Sequence, residues 1–283
     1  MKKLYTLIIT LLVAGSSLTV TAQTRLKMPQ ASSAQTLVQE FGLGKVTLTY
    51  SRPNTKGRKI FGALEPYDKV WRTGANSATV ITFTDDVTIE GNKVPAGEYA
   101  LFTIPNTKEW TIILNKNTKQ WGAYEYKQAD DFLRFTVKPA KTAEPVETFT
   151  MQFANVKPTT ADLHLMWERT DLALHLTTDI DTRIMAGIDE AMKATEKKPY
   201  FAAAQYYFEN NKDLNKALEW ITEAEKTDPK ATYYKYWKAR IQLKMGNKAA
   251  AIATAQEGAS LAKAEKNEEY VRLNEGVITQ AKS

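Results

Sequence analysis

The hydrophobic period of this chain changes once, near Thr178, and that change limits what it can fold into. From Lys45 to about Thr178 apolar residues alternate with polar ones, in short runs such as KVTLTYS, ATVITF, EYALFTI, EWTIILN, FLRFTVK, ETFTMQFA, ADLHLMWE and LALHLTT. Alternation at period two puts every second side chain on one face of an extended strand. The runs are rich in β-branched and aromatic residues. Gly, Pro, Asn and Asp separate them, with Gly91-Asn92 and Pro95-Ala96-Gly97 as legible reversals. About nine short strands at this spacing, with no helical run between them, predict an antiparallel β-sandwich or open barrel over residues 23–178.

After Thr178 alanine rises and the period becomes helical, in DIDTRIMAGIDEAMKATEKK, PYFAAAQYYFENN, LNKALEWITEAEKTDP, ATYYKYWKARIQLKMG and NKAAAIATAQEGASLAKAEKN. Asp228-Pro229 and Met245-Gly246-Asn247 mark stops. Ala217-Leu218, Ile221 and Ala224 recur as Ala251-Ile252, Ala255 and Gly258, an offset of 34 residues (251 − 217, 258 − 224). That is the tetratricopeptide period, one helix–turn–helix unit. Lys235 stands where that repeat usually has a large aromatic residue, although Tyr234 and Trp237 flank it. Residues 179–283 are therefore expected to form an all-α, tetratricopeptide-like unit; the alternative is a generic helical bundle with coincident spacing.

The first residues, MKKLYTLIITLLVAGSSLTVTAQ, read as an export signal. Lys2 and Lys3 precede an apolar run, Leu4 to Ala14, that is too short to span a bilayer, and Val20-Thr21-Ala22 fits the small-x-small cleavage rule. Cleavage after residue 22 leaves a 261-residue chain (283 − 22) with 36 Lys+Arg against 32 Asp+Glu, net +4. So mild a charge does not indicate a nucleic-acid partner. There is no Cys, hence no disulfide to form in an oxidising compartment. The expected location is periplasmic or extracellular, with no membrane insertion after processing.

Charge concentrates in one place. Between Lys45 and Arg72 lie seven cations, Lys45, Arg52, Lys56, Arg58, Lys59, Lys69 and Arg72, opposed only by Glu65 and Asp68. The segment ends in KVWRTGANSATVITF, Lys69 to Phe83, where a Trp, an Arg and an Asn fall within six residues. Arginine donates two parallel hydrogen bonds to a carboxylate or phosphate. Two readings of this stretch stand side by side. In one, Arg72 and Asn76 tie a corner to neighbouring carbonyls; in the other, Arg52, Arg58, Arg72 and Asn76 line a ligand pocket. Trp71 and Arg72 point to opposite faces if both are extended. QWGAYEY adds Trp121, Tyr124 and Tyr126, which could stack on a sugar or peptide or belong to a core or rim.

His164 and His175 sit in ADLHLMWE and LALHLTT. A hairpin with Arg169-Thr170 at its tip would place His164 opposite His175, Leu165 opposite Leu174 and Trp167 opposite Leu172. The two imidazoles would then offer a weak metal pair lacking further ligands, or simply an exposed polar pair. No nucleophile elbow is present. Glu98, Glu125, Asp130 and Asp131 could serve glycosidic chemistry, but nothing pairs them across a cleft. No cofactor motif is found.

The stretch YSRPNTKGRKIFGALEPYDKVWRTGANSATVITF, Tyr50 to Phe83, followed in order by VPAGEYALFTIP, EWTIILNK, WGAYEY and DFLRFTVKP, resembles the bacterial domain of unknown function 2911 family over roughly residues 24–178. The resemblance implies an exported β-rich domain, often followed by helical repeats, with no established activity. The expected function is a non-catalytic binding or interaction protein. Its helical repeats would engage a protein or peptide. Its β domain would hold a small anionic or saccharide ligand near Arg52, Arg58, Trp71, Arg72, Asn76, Trp121 and Tyr124. The rival class is an envelope-polymer hydrolase with an unrecognised carboxylate site.

Overall fold

A computed structural model describes residues 28–195 and 197–283. The expected signal peptide, residues 1–22, lies outside the described residues. The chain forms two compact units that meet in sequence between Thr178 and Asp179.

Among the described residues the first unit holds ten strands: β1 (Ser33–Phe41), β2 (Gly44–Arg52), β3 (Thr79–Phe83), β4 (Val87–Ile89), β5 (Asn92–Val94), β6 (Gly97–Ile104), β7 (Trp110–Asn115), β8 (Asp131–Val137), β9 (Ala140–Ala154) and β10 (Thr160–Thr177). All ladders between these strands are antiparallel. They make two sheets, one in the order β1-β2-β3-β6-β7-β8 and one in the order β5-β4-β10-β9. The inward residues of both sheets share one core. Leu48, Ile81, Phe83, Leu101 and Ile112 from the first sheet pack with Met151, Leu163, Leu165, Leu174 and Leu176 from the second. The alternation seen in sequence is the cause: Ile81 and Phe83, Leu163 and Leu165, and Leu174 and Leu176 each lie two residues apart along their strand. Removing such a side chain from water is worth about 1.5–3 kcal/mol. β6 and β7 are buried on both faces, because Ala100, Phe102 and Ile113 turn outward and are covered by Ala123 and Tyr126.

The expected hairpin over 160–177 is present with a different register. β10 doubles back on itself. Thr178 N–H donates to the Thr159 carbonyl at 3.0 Å and His175 lies 2.7 Å from Asp162, contacts that a straight strand rising about 3.3 Å per residue could not make. The bend falls at Glu168, whose φ is +55°, one residue before the expected tip. Asp162, and not His164, therefore faces His175. The shift of two residues preserves the parity, so Leu163, Leu165, Trp167, Leu172, Leu174 and Leu176 still fall on the buried face.

Among the described residues the second unit has six helices: α1 (Asp181–Lys193), α2 (Tyr200–Glu209), α3 (Leu214–Thr227), α4 (Thr232–Lys244), α5 (Lys248–Ala264) and α6 (Glu268–Lys282). From α2 onward each packs on the next, and α4 also touches α2 and α6. Ala217, Ile221 and Ala224 of α3 are buried, as are Ala251, Ala255 and Gly258 of α5. A Cβ on Gly258 would come within 2.6 Å of Asn274 Oδ1 and 2.9 Å of Lys235 Cβ, so only glycine lets α5 sit this close to α4 and α6. Lys235 stretches its ammonium to Glu225 at 2.5 Å and Glu257 at 2.6 Å, joining α3, α4 and α5. No helix among the described residues is long and apolar enough to cross a membrane.

Candidate functional site

The Lys69–Phe83 stretch is a corner whose polar groups are turned onto the chain itself. Trp71 exchanges backbone hydrogen bonds with Thr103 at 2.7 and 2.9 Å, which prolongs the β6 ladder beyond the end of β3. Its indole enters the core, stacked on Trp167 at 5.8 Å and edge-on to Phe61 at 5.7 Å and Phe149 at 5.2 Å. The indole N–H donates to the Gly74 carbonyl at 3.1 Å. Gly74 has φ +149°, and a Cβ there would meet the Ser51 carbonyl at 2.9 Å, so the turn requires glycine. Asn76 takes φ +60° and its amide donates to the Ser32 carbonyl at 3.2 Å and Ser51 Oγ at 3.3 Å. The Asn76 carbonyl accepts from Gly122 N–H at 3.0 Å, and Ser77 bridges Trp121. Trp121 and Tyr124 thus stand beside the corner, 64% and 87% exposed.

Arg72 is the exception. Its Nε is buried without a hydrogen-bond partner. Glu65 shares its surroundings: burial pushes that carboxyl up to about 7, against the pull of the Arg72 charge.

Arg52 and Arg58 lie toward β9. Arg52 donates to the Phe149 carbonyl at 3.2 Å and Thr150 Oγ1 at 2.9 Å, bracing one sheet against the other. Arg58 donates to the carbonyls of Thr55 at 2.9 Å and Asn54 at 2.8 Å, closing its own loop. Glu147 holds the same loop by accepting from the Thr55 hydroxyl and, at 2.9 Å, the Lys56 N–H. Those two bonds, followed by the Arg58 charge, keep its carboxyl below the usual range.

A cavity of about 340 Å³ opens where the bend of β10 meets the segments around residues 59–67, 106–110 and 139–141. Phe61, Tyr67 and Trp110 supply aromatic walls, Lys59, Lys141 and Arg169 supply three cations, and Asn106, Thr107 and Thr170 add polar groups. Phe61 packs edge-on to Trp110 at 4.6 Å and touches Trp71 and Trp167 behind it, so the cavity is rooted in the same aromatic cluster as the corner. The single lining carboxylate, Glu168, already accepts from Ile60 N–H at 3.0 Å. Arg169 donates to the Ala143 carbonyl at 3.0 Å. The volume suits a small molecule. None of Arg52, Arg58, Trp71, Arg72, Asn76, Trp121 or Tyr124 lines this cavity. Sequence reading missed its walls because they come from four separated segments; the basic run that includes Lys59 was the one available signal.

The two imidazoles each take a carboxylate partner. His164 Nδ1 lies 2.9 Å from Asp171 and His175 Nδ1 2.7 Å from Asp162. The Asn155 amide and then His175 hold the Asp162 carboxyl below its usual range. Among the described residues, no group of three or more His, Cys, Asp or Glu side chains could hold a metal ion.

Fold and site together define an antiparallel two-sheet β domain with a basic, aromatic-walled cavity, followed by a helical unit. Residues 32–176 match the family model described as "Protein of unknown function (DUF2911)". The match covers 145 of 283 residues (176 − 32 + 1), and the chain belongs to that family. No curated protein and no solved structure matches the chain.

Proposed function

We propose that this is an exported, non-catalytic binding protein whose β domain takes a small anionic or acidic saccharide ligand in the cavity near Lys59, Lys141 and Arg169. The observation that carries the reading is the composition of that cavity. Three cations face one carboxylate that is already hydrogen-bonded, over walls of Phe61, Tyr67 and Trp110. Cations in a partly enclosed site concentrate anions, and flat rings suit a sugar face or a planar acid. The N-terminal leader supports export. The helical unit fits tetratricopeptide repeats that engage a protein or peptide. In support, α3 and α5 start 34 residues apart (248 − 214) and bury their small residues at matching positions.

The test is a thermal-melt and calorimetric series with uronic acids, sugar phosphates and aromatic carboxylates. A ligand at a hundred times its Kd should stabilise the wild type by about 2.7 kcal/mol. The Lys59→Ala/Lys141→Ala double variant should lose most of that gain. Wild type that no anion stabilises would end the reading. One observation favours the hydrolase reading: Glu65, held partly protonated near neutral pH beside Arg72, resembles a general acid. Turnover of an envelope polysaccharide that Glu65→Gln abolishes would establish it.

A further inference from the structure

We infer that β1 is a self-pairing edge, through which two copies of the chain join their six-stranded sheets into one continuous sheet. β1 ends its sheet, and β2 is the one strand it pairs with among the described residues. It pairs with β2 over nine consecutive positions without a bulge, from Ser33 opposite Arg52 to Phe41 opposite Gly44. In an antiparallel pair every second residue directs its N–H and C=O away from the neighbour, so the outer side of β1 presents a regular row of backbone groups that no other strand among the described residues pairs with; one β1 carbonyl, that of Glu40, accepts from the Gln39 side-chain amide at 3.0 Å.

The other sheet edges are guarded. β5 is three residues long and carries Lys93. β9 contains Lys141 and Pro145 and shifts register twice against β10. β8 carries Arg134 and a register shift against β7. Short length, charge, proline and bulges are how edges avoid pairing. β1, SAQTLVQEF, has no Lys, no Arg, no Pro and no bulge. At its centre Val38 is 62% exposed.

The occupant that suits this charge pattern is a second copy in antiparallel sense. With the two-fold axis at Leu37, Thr36 faces Val38 of the other copy and Ala34 faces Glu40. The strand's single charge then never opposes itself, the two Val38 side chains become diagonal neighbours, and the interface is isologous. A parallel in-register pair would set Glu40 against Glu40.

Sedimentation equilibrium and light scattering on the chain lacking residues 1–22 test this. The wild type should dimerise with a Kd on the order of 1–100 µM, as expected for a small interface. Val38→Lys should raise that constant at least tenfold while circular dichroism remains native; Thr36→Lys, on the same exposed face, serves if Val38→Lys folds poorly. Leu43→Lys, also exposed but beyond the ladder, should leave the dimer intact. A wild type that stays monomeric to about 1 mM, or a dimer that neither strand variant weakens, overturns the inference.

Discussion

The corner at Trp71–Thr79 and the cavity by Lys59, Lys141 and Arg169 share one aromatic cluster and use their polar groups in opposite ways. At the corner, the Trp71 indole N–H, the Asn76 amide and the Thr79 hydroxyl all bond to the chain's own oxygens. At the cavity, the ammonium groups of Lys59 and Lys141 make no hydrogen bond or ion pair among the described residues, although both line the opening. A polar group bonded to its own backbone contributes to stability, because an unmatched buried carbonyl costs about 1–3 kcal/mol. A surface cation without a partner contributes almost nothing to stability. The corner is therefore built for rigidity, whereas the cavity wall keeps its donors available.

The largest test of this contrast is Trp71→Ala. It removes the ring that packs on Trp167, Phe61, Trp110 and Phe149. A fully buried aromatic cut to alanine should cost about 3–5 kcal/mol in urea unfolding. The cavity should suffer with it, because Phe61 and Trp110 lean on the same ring. A loss under about 1 kcal/mol would mean that the cluster is loose and the two regions are independent. Gly74→Ala comes next. The left-handed backbone and the approach to the Ser51 carbonyl should cost about 1–3 kcal/mol. The cavity residues lie elsewhere, so ligand affinity in the folded protein should not change.

Arg72 and Glu65 form the one part of the corner that departs from its own rule, and pH exposes it. The Glu65 carboxyl is raised by burial from 4.5 to about 7 in the folded state. The native state then holds a proton that the unfolded chain has already released. Stability from this group is full below the unfolded value and is lost as pH rises through the folded one. Relative to Glu65→Gln, the wild type should lose about 1–2 kcal/mol between about pH 4.5 and 8, after discounting for partial solvent screening. A flat difference across that window would mean that Glu65 is well solvated. Arg72→Met should leave stability unchanged or raise it slightly, since the buried Nε has no hydrogen bond to lose.

Much of this was legible from residue order, and the limits have physical causes. Period two located the strands from Lys45 onward but not β1, Ser33–Phe41, which precedes that stretch; parity survived the error in the β10 register because a slip of two residues keeps every side chain on its face. The bend itself was misplaced because Glu168 enters the left-handed region without the Gly or Asn that normally announces it. The partners of Arg52 and Arg58 were not legible from neighbouring residues, because Glu147 and the Phe149 carbonyl lie about 90 residues away and approach only when the sheets pack. The cavity was invisible for the same reason: Lys59, Trp110, Lys141 and Arg169 share no spacing that a motif could carry. In the helical unit the 34-residue offset between Ala217 and Ala251 was readable from residue order, and both side chains are buried. Lys235 looked out of place until Glu225 and Glu257 were seen at its ammonium.

The smallest expected effect separates the two regions most cleanly. Lys59, Lys141 and Arg169 bring like charges to one opening that also holds Glu168, and no ion pair among the described residues engages the two lysines. Lys59→Ala/Lys141→Ala should therefore change stability by no more than about 0.5 kcal/mol, with any change toward greater stability through relief of repulsion. The gain should be largest at low ionic strength, where the Debye length is about 30 Å at 0.01 M, and should vanish near 1 M, where it is about 3 Å. A corner residue would behave differently. Asn76→Ala breaks bonds inside the structure, so its cost should be insensitive to salt. Urea unfolding of both variants at the two ionic strengths makes the comparison in one experiment. If the lysine pair costs more than about 1 kcal/mol and salt leaves that cost unmoved, the cations are holding the fold. The distinction between a corner closed on itself and a wall open to a ligand would then disappear.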